Sequence, residues 1–140
     1  MKPIELKTAA GRIYLHINYD AANQWLYLHW KGTQTYEGIR AGAEACLQVL
    51  AETKCHYLIN DNRQVYEPWQ EATDWVVNQW APRAVALGLT HFAQIVSPDS
   101  LLTLTPEVMQ QALGEQLQMR TFISVSQAQE WLHQARAAVS

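Results

Sequence analysis

One stretch restricts this chain's options more than any other: Cys55-His56-Tyr57-Leu58-Ile59-Asn60-Asp61-Asn62-Arg63, running on to Pro68-Trp69. Three apolar side chains, Tyr57, Leu58 and Ile59, give way at once to four polar residues, and the Pro-Trp pair opens a long pattern with helical spacing. A short apolar run bounded by turn formers reads as a buried strand, and a strand feeding a helix is half of a parallel β-α-β unit. In open α/β sheets, ligands and partners gather at the carboxyl ends of such strands. Asp61, Asn62 and Arg63 are therefore expected at a sheet rim, where a site would form; the alternative is a structural turn, in which Asp61 and Asn62 cap the following helix and Arg63 pairs with a nearby acid.

Upstream, Ile13, Leu15 and Ile17 alternate with Tyr14, His16 and Asn18, and Leu26, Leu28 and Trp30 alternate with Trp25, Tyr27, His29 and Lys31. A period of two marks a half-buried strand. The polar loop Asp20-Ala21-Ala22-Asn23 makes the two runs an antiparallel hairpin. Its second face gathers Tyr14, His16, Trp25, Tyr27 and His29. Two readings stay open for that face: it is covered by a helix or by the N-terminal segment, or it is a partner or homodimer surface, because exposed aromatic patches mark interfaces.

Gly32 closes the second strand. Thr33 or Thr35 then caps a helix in which Tyr36, Ile39, Ala43, Cys46, Leu47 and Leu50 keep three-to-four spacing up to Glu52. A second helix starts near Pro68, and at about 100° per residue Trp69, Thr73, Val76, Trp80 and Leu87 share one sector, with Trp75 on the other side. Pro82 lacks an N–H and sets its ring against the carbonyl of Asn78, so a kink or break is expected there; Gly88 ends the segment. The next strand is His91–Val96, left through Ser97-Pro98-Asp99. Thr105-Pro106-Glu107 opens a third helix, and Arg120–Ile123 is a last short strand. Ser124 or Ser126, with Gln127 or Gln129, caps a final helix that buries Ala128, Trp131, Leu132 and Ala135. The order β-β-α-β-α-β-α-β-α predicts a single α/β domain over residues 1–140: an N-terminal β-hairpin followed by β-α-β units, in a mixed sheet packed with helices.

Charge and motifs narrow the function classes. A net charge of -3, with Lys and Arg scattered, argues against a nucleic-acid binder, which carries a basic patch. His16, His29, His56, His91 and His133 lack the spacing of local metal ligands, and no HExxH, GxSxG or Gly-rich phosphate loop is present. No catalytic residue, metal or cofactor is assigned; Asp61, Arg63 and Asp99 are the one group worth testing for catalysis. Cys46 and Cys55 form no CxxC pair and read as buried, reduced thiols. The N-terminus lacks the apolar core of a secretion signal, and no stretch approaches the roughly 20 apolar residues of a membrane span. A cytoplasmic protein without an integral membrane segment is expected.

Several of these residues together resemble the SpoIIAA-like group, which joins STAS domains and CRAL-TRIO-type lipid-binding domains, and within it the small stand-alone bacterial members. The likeness covers roughly residues 13–132. It is carried by Tyr57-Leu58-Ile59-Asn60-Asp61-Asn62-Arg63, Pro68-Trp69, Trp75, Trp80-x-Pro82, Gly88, His91-Phe92-Ala93 with Ser97-Pro98, and Arg120-Thr121-Phe122 with Ala128 and Trp131-Leu132. The resemblance implies a non-catalytic binding or regulatory domain. In the family's anti-sigma antagonists a Ser or Thr after the third strand is phosphorylated to switch partner binding. Here that place reads Asp61-Asn62-Arg63-Gln64, with no hydroxyl before Tyr66, so the phosphoswitch is not carried over.

The expectation is a regulatory protein-protein interaction module, with Asp61, Asn62, Arg63, Trp69, Ser97 and Asp99 as ligand- or partner-binding residues. The alternative is a carrier or sensor of a small apolar, lipid-like ligand, housed in a cavity beneath Trp69 and Trp80. The hairpin face of Tyr14, His16, Trp25, Tyr27 and His29 is the expected homodimer or partner surface.

Overall fold

The computed structural model describes residues 2–65, 74–97 and 117–139. Features expected at Pro68, Trp69, Thr73, Pro98, Asp99 and Thr105 to Glu107 lie outside these residues.

Six strands stand side by side in chain order: β1 (Ile4–Lys7), β2 (Ile13–Asp20), β3 (Trp25–Gly32), β4 (Tyr57–Val65), β5 (His91–Ile95) and β6 (Gln118–Phe122). β1, β2 and β3 pair antiparallel, and β3 to β6 pair parallel, so the chain is an α/β protein with a mixed sheet. The hairpin is where alternation places it. Asp20 secures its turn by accepting the Asn23 N–H at 3.1 Å and the Asn23 amide at 2.8 Å. β1 is an addition to the expected order. Its four residues carry a single apolar alternation, Ile4 and Leu6, which is too short to register as a periodic pattern. It forms one edge of the sheet, and Pro3 and Lys7 at its ends discourage pairing with another strand.

Three α-helices and one π-helical turn are seen among the described residues: α1 (Tyr36–Thr53), the π-turn Val76–Trp80, α2 (Ala81–Ala86) and α3 (Val125–Val139). Thr35 caps α1, its hydroxyl accepting the Gly38 N–H at 3.0 Å. Ser124 does the same for α3 through the Gln127 N–H at 3.1 Å. The break expected at Pro82 takes the form of the π-turn. The Ala81 N–H bonds back to the Val76 carbonyl, five residues away rather than four, which lets a residue without an N–H enter the helix. The wider turn also shifts the angular register. Val76 and Trp80 stay buried, while Leu87, placed in their sector at a uniform 100° per residue, is 36% exposed.

Apolar clusters lie on both sheet faces. On one, Leu15, Leu26, Leu28, Trp30, Leu58 and Phe92 pack with Ile39, Cys46 and Leu50 of α1, Trp80 of the π-turn and Ala84 of α2. On the other, Trp25, Tyr57, Ile59, Ala93 and Ile95 meet Ala128 and Leu132 of α3. Tyr57, Leu58 and Ile59 thus serve both faces in turn, which is why that run is apolar without alternation. No helix among the described residues is long and apolar enough to cross a membrane.

Gly42 sets how closely α1 approaches the sheet. A Cβ there would stand 2.5 Å from Trp30 Cη2 and 2.6 Å from Leu15 Cδ2, both enclosed side chains. Overpacking costs about 1–3 kcal/mol, against about 1 kcal/mol that Ala gains over Gly within a helix. Trp30 is pinned by a hydrogen bond to Asn60, so the clash dominates. Gly42→Ala is expected to lose up to about 2 kcal/mol in urea unfolding; a gain in stability would show that the helix can lift away.

Candidate functional site

β4 does not stop at Asn60. It runs on to Val65, past Ile95 at the end of β5, which pairs with Asp61. The expected turn is replaced by a bulge: His29 faces Asp61 and Lys31 faces Gln64, so Asn62 and Arg63 together stand opposite Trp30. Bulges re-aim side chains and favour functional edges. The local tie is a side-chain turn, in which Asp61 Oδ1 accepts the Arg63 N–H at 3.1 Å. Asp and Asn were expected to leave the strand; here they are held within it.

The pleat sends the polar residues to opposite faces. On the α1 side, Asn60 is buried. It accepts from Trp30 Nε1 at 2.7 Å and donates to Gln94 Oε1 at 2.8 Å and Asn62 Oδ1 at 3.3 Å. This network borders a cavity of ≈ 30 Å³ whose walls include Trp30, Cys46, Val76, Trp80 and Phe92. Such a volume holds about one water.

On the α3 side, Asp61 is completely buried. Its carboxylate accepts from the Tyr27 hydroxyl at 2.6 Å, from Arg63 Nε at 3.0 Å and from Arg63 Nη2 at 2.7 Å, in addition to the Arg63 N–H. Burial alone would push this carboxyl up. The donors from Arg63 and Tyr27 outweigh it and hold the group below the ordinary aspartate range. Tyr27 is driven well above its ordinary value, by burial first and then by the carboxylate beside it.

His29 stands across from Asp61 and in register with His16 on β2, their ring centroids 6.3 Å apart. Glu5 on β1 pairs with His16, carboxylate to imidazole at 3.9 Å. Glu5, His16, His29 and Asp61 therefore form one row across four strands. Burial lowers the His29 pKa; Asp61 opposes the shift, and Lys31, His16 and Arg63 add to it.

The five-residue hairpin face is divided by the tertiary structure. Tyr14 falls on the other side. The β1–β2 register passes from Leu15 to Ile13, so Tyr14 bulges out of the ladder and turns toward α1, where its hydroxyl donates to the Gly38 carbonyl at 3.1 Å. Trp25 is 3% exposed, roofed by α3 and packed edge-on against His133 at 4.9 Å. A patch containing both is thereby corrected. His16, Tyr27 and His29 remain half-exposed, joined by Lys31, which shares their alternation, and by Glu5, whose strand was too short to foresee. Ser97 lies just past β5, after Val96, whose N–H bonds to the Phe122 carbonyl at 2.9 Å. Trp69 and Asp99 are outside the described residues. Trp75 is half-buried, and the Arg40 guanidinium lies 5.2 Å from its ring.

Among the described residues no three His, Cys, Asp or Glu side chains are grouped to hold a metal. Asp61 is poorly suited to general-base work, because its oxygens are occupied by four donors and its proton affinity is low. What the constellation does is hold Arg63 in place beside Tyr27 and His29. In comparisons with known proteins, no family model, no curated protein and no solved structure matches this chain.

Proposed function

We propose that the protein is a non-catalytic regulatory interaction module, a STAS-like member of the SpoIIAA-like group without the Ser/Thr phosphoswitch, acting in the cytoplasm. Its docking platform is the polar half of the α3-side sheet face: His16, Tyr27, His29, Lys31 and Arg63. One observation carries this reading. A fully buried carboxylate spends all of its hydrogen bonds on orienting Arg63 and Tyr27, an arrangement that pre-organises recognition.

A photocrosslinking residue at Asn18, exposed on the same face and paired with Tyr27, should trap a discrete adduct in cells. Lys31→Glu should cut its yield about tenfold through charge reversal at the platform, with thermal unfolding unchanged. An adduct of twice the chain mass would identify the partner as a second copy. An adduct indifferent to Lys31→Glu counts against the proposal.

The apolar-ligand alternative draws on the Trp80 cavity. Among the described residues that cavity holds ≈ 30 Å³, about a tenth of the smallest drug-sized pockets; the Trp69 side of it lies outside them.

A further inference from the structure

We infer that the opposed imidazoles of His16 and His29, with the Arg63 guanidinium beside them, form a binding site for a carboxylate of an acidic peptide segment, engaged on acidification. The inference rests on the docking reading above and adds the chemistry of what docks.

The groups facing these rings come from every neighbouring strand. His16 meets Glu5 from β1 and His29 from β3. His29 meets His16 from β2, Asp61 and Arg63 from β4, and Tyr27 and Lys31 on its own strand. With neutral rings, two cations, Lys31 and Arg63, balance two carboxylates, Glu5 and Asp61. Protonating both imidazoles leaves two positive charges in excess. Asp61 acts on His29 through its charge, but its oxygens are taken by Tyr27 and Arg63 and accept no hydrogen bond from either ring. Glu5 reaches His16 only at 3.9 Å, with its side chain 47% exposed. Like charges directly opposite one another on paired strands are destabilising. At 6.3 Å between centroids, two imidazolium rings leave room for one oxyanion to accept from both.

Binding and protonation are then linked in both directions: protonated rings attract the anion, and the bound anion raises the proton affinity of the rings. His29 starts from a depressed value, so it is neutral near pH 7 and the site opens only as the pH falls below the ordinary histidine range. At pH 7, with its histidines neutral, the chain carries a charge of -3, so an acidic segment meets no net attraction until these rings protonate.

The test is an NMR titration of the histidine side chains with an acetylated, amidated tetraglutamate peptide at constant ionic strength, at about pH 5.5 and about pH 8. Saturable shifts are expected for His16 and His29 at the lower pH, with no change at the exposed His56 and His133. Affinity should be about tenfold weaker at the higher pH, and His29→Gln or His16→Gln should each weaken binding about fivefold at the lower one. Equal shifts at all histidines, shifts that never saturate, or affinity independent of pH would overturn the inference, and the wild-type titration alone decides this if a variant folds poorly. Inorganic phosphate binding more tightly than the peptide would overturn the choice of carboxylate. A crosslinked adduct sensitive to Lys31→Glu, with no peptide response, removes this inference and leaves the docking proposal standing; a peptide response without an adduct does the reverse.

Discussion

Arg63→Ala is expected to lower stability by about 3 kcal/mol, more than Asp61→Asn, although both remove the same ion pair. The asymmetry comes from what each leaves behind. Without Arg63, a completely enclosed carboxylate keeps only Tyr27 and one backbone N–H, and an uncompensated buried charge costs about 3–5 kcal/mol. The lower end applies because the Arg63 side chain is 42% exposed, so its removal admits some water. Without the Asp61 charge, the guanidinium can turn to solvent, and the loss is about 1–2 kcal/mol of hydrogen bonding. The double variant Asp61→Asn, Arg63→Ala should therefore be more stable than Arg63→Ala alone, a non-additivity readable by urea unfolding. If Arg63→Ala matches wild type within about 0.5 kcal/mol, the carboxylate is hydrated without its partner and the pre-organisation argument fails.

The same pair sets an acid limb. Asp61 has a folded pKa below its unfolded one, so between the two values the unfolded chain binds more protons and stability falls as the pH drops. The contribution is complete above the ordinary aspartate value, about 3.9, and is lost as the pH falls through the lower folded value. Asp61→Asn should flatten this limb of the stability profile. Because Arg63→Ala also damages the fold, loss of partner binding in that variant would be ambiguous. Lys31, His16 and His29 are the cleaner positions for binding tests.

Trp80→Ala is expected to cost about 3–5 kcal/mol. The indole is 3% exposed, packs edge-on against Phe92 at 5.9 Å and donates to the Ala43 carbonyl at 3.1 Å. Its removal would merge the vacated space with the adjoining ≈ 30 Å³ cavity. Trp80→Phe, which keeps most of the volume and loses the N–H, should lie nearer 1–2 kcal/mol. An enlarged apolar cavity takes up xenon or benzene. Benzene should therefore raise the unfolding temperature of Trp80→Ala and leave wild type unmoved. A thermal shift in wild type would revive the apolar-ligand alternative, and an alanine variant destabilised by less than about 1 kcal/mol would mean that the walls collapse inward.

The candidate site was legible in residue type and in sheet position, and illegible in mechanism. Asp61 and Arg63 stand out in the sequence because polar residues crowd the end of an apolar run. That they bind each other across one bulge, with Tyr27 as the third member, depends on a register slip that no local pattern announces. The hairpin face shows the same limit from the other side. Alternation assigned Tyr14, His16, Trp25, Tyr27 and His29 to one surface, but a bulge moved Tyr14 through the sheet and α3 closed over Trp25. The π-turn before Pro82 likewise defeated the helical wheel at Leu87, although Val76 and Trp80 share a buried side as expected.

From sequence alone came whatever depends on neighbours a few residues apart: the alternation of β2 and β3, the Thr35 and Ser124 caps, the apolar stripe of α1 and the two-sided apolar run of β4. These follow from backbone geometry and local hydrogen bonding, which act at short range along the chain. The tertiary structure alone decided which strand stood at the edge, where the register slipped, which aromatics were roofed, and that one row joins Glu5, His16, His29 and Asp61. Those outcomes depend on contacts between residues far apart in sequence, where packing volume and charge burial across the sheet outweigh local preference.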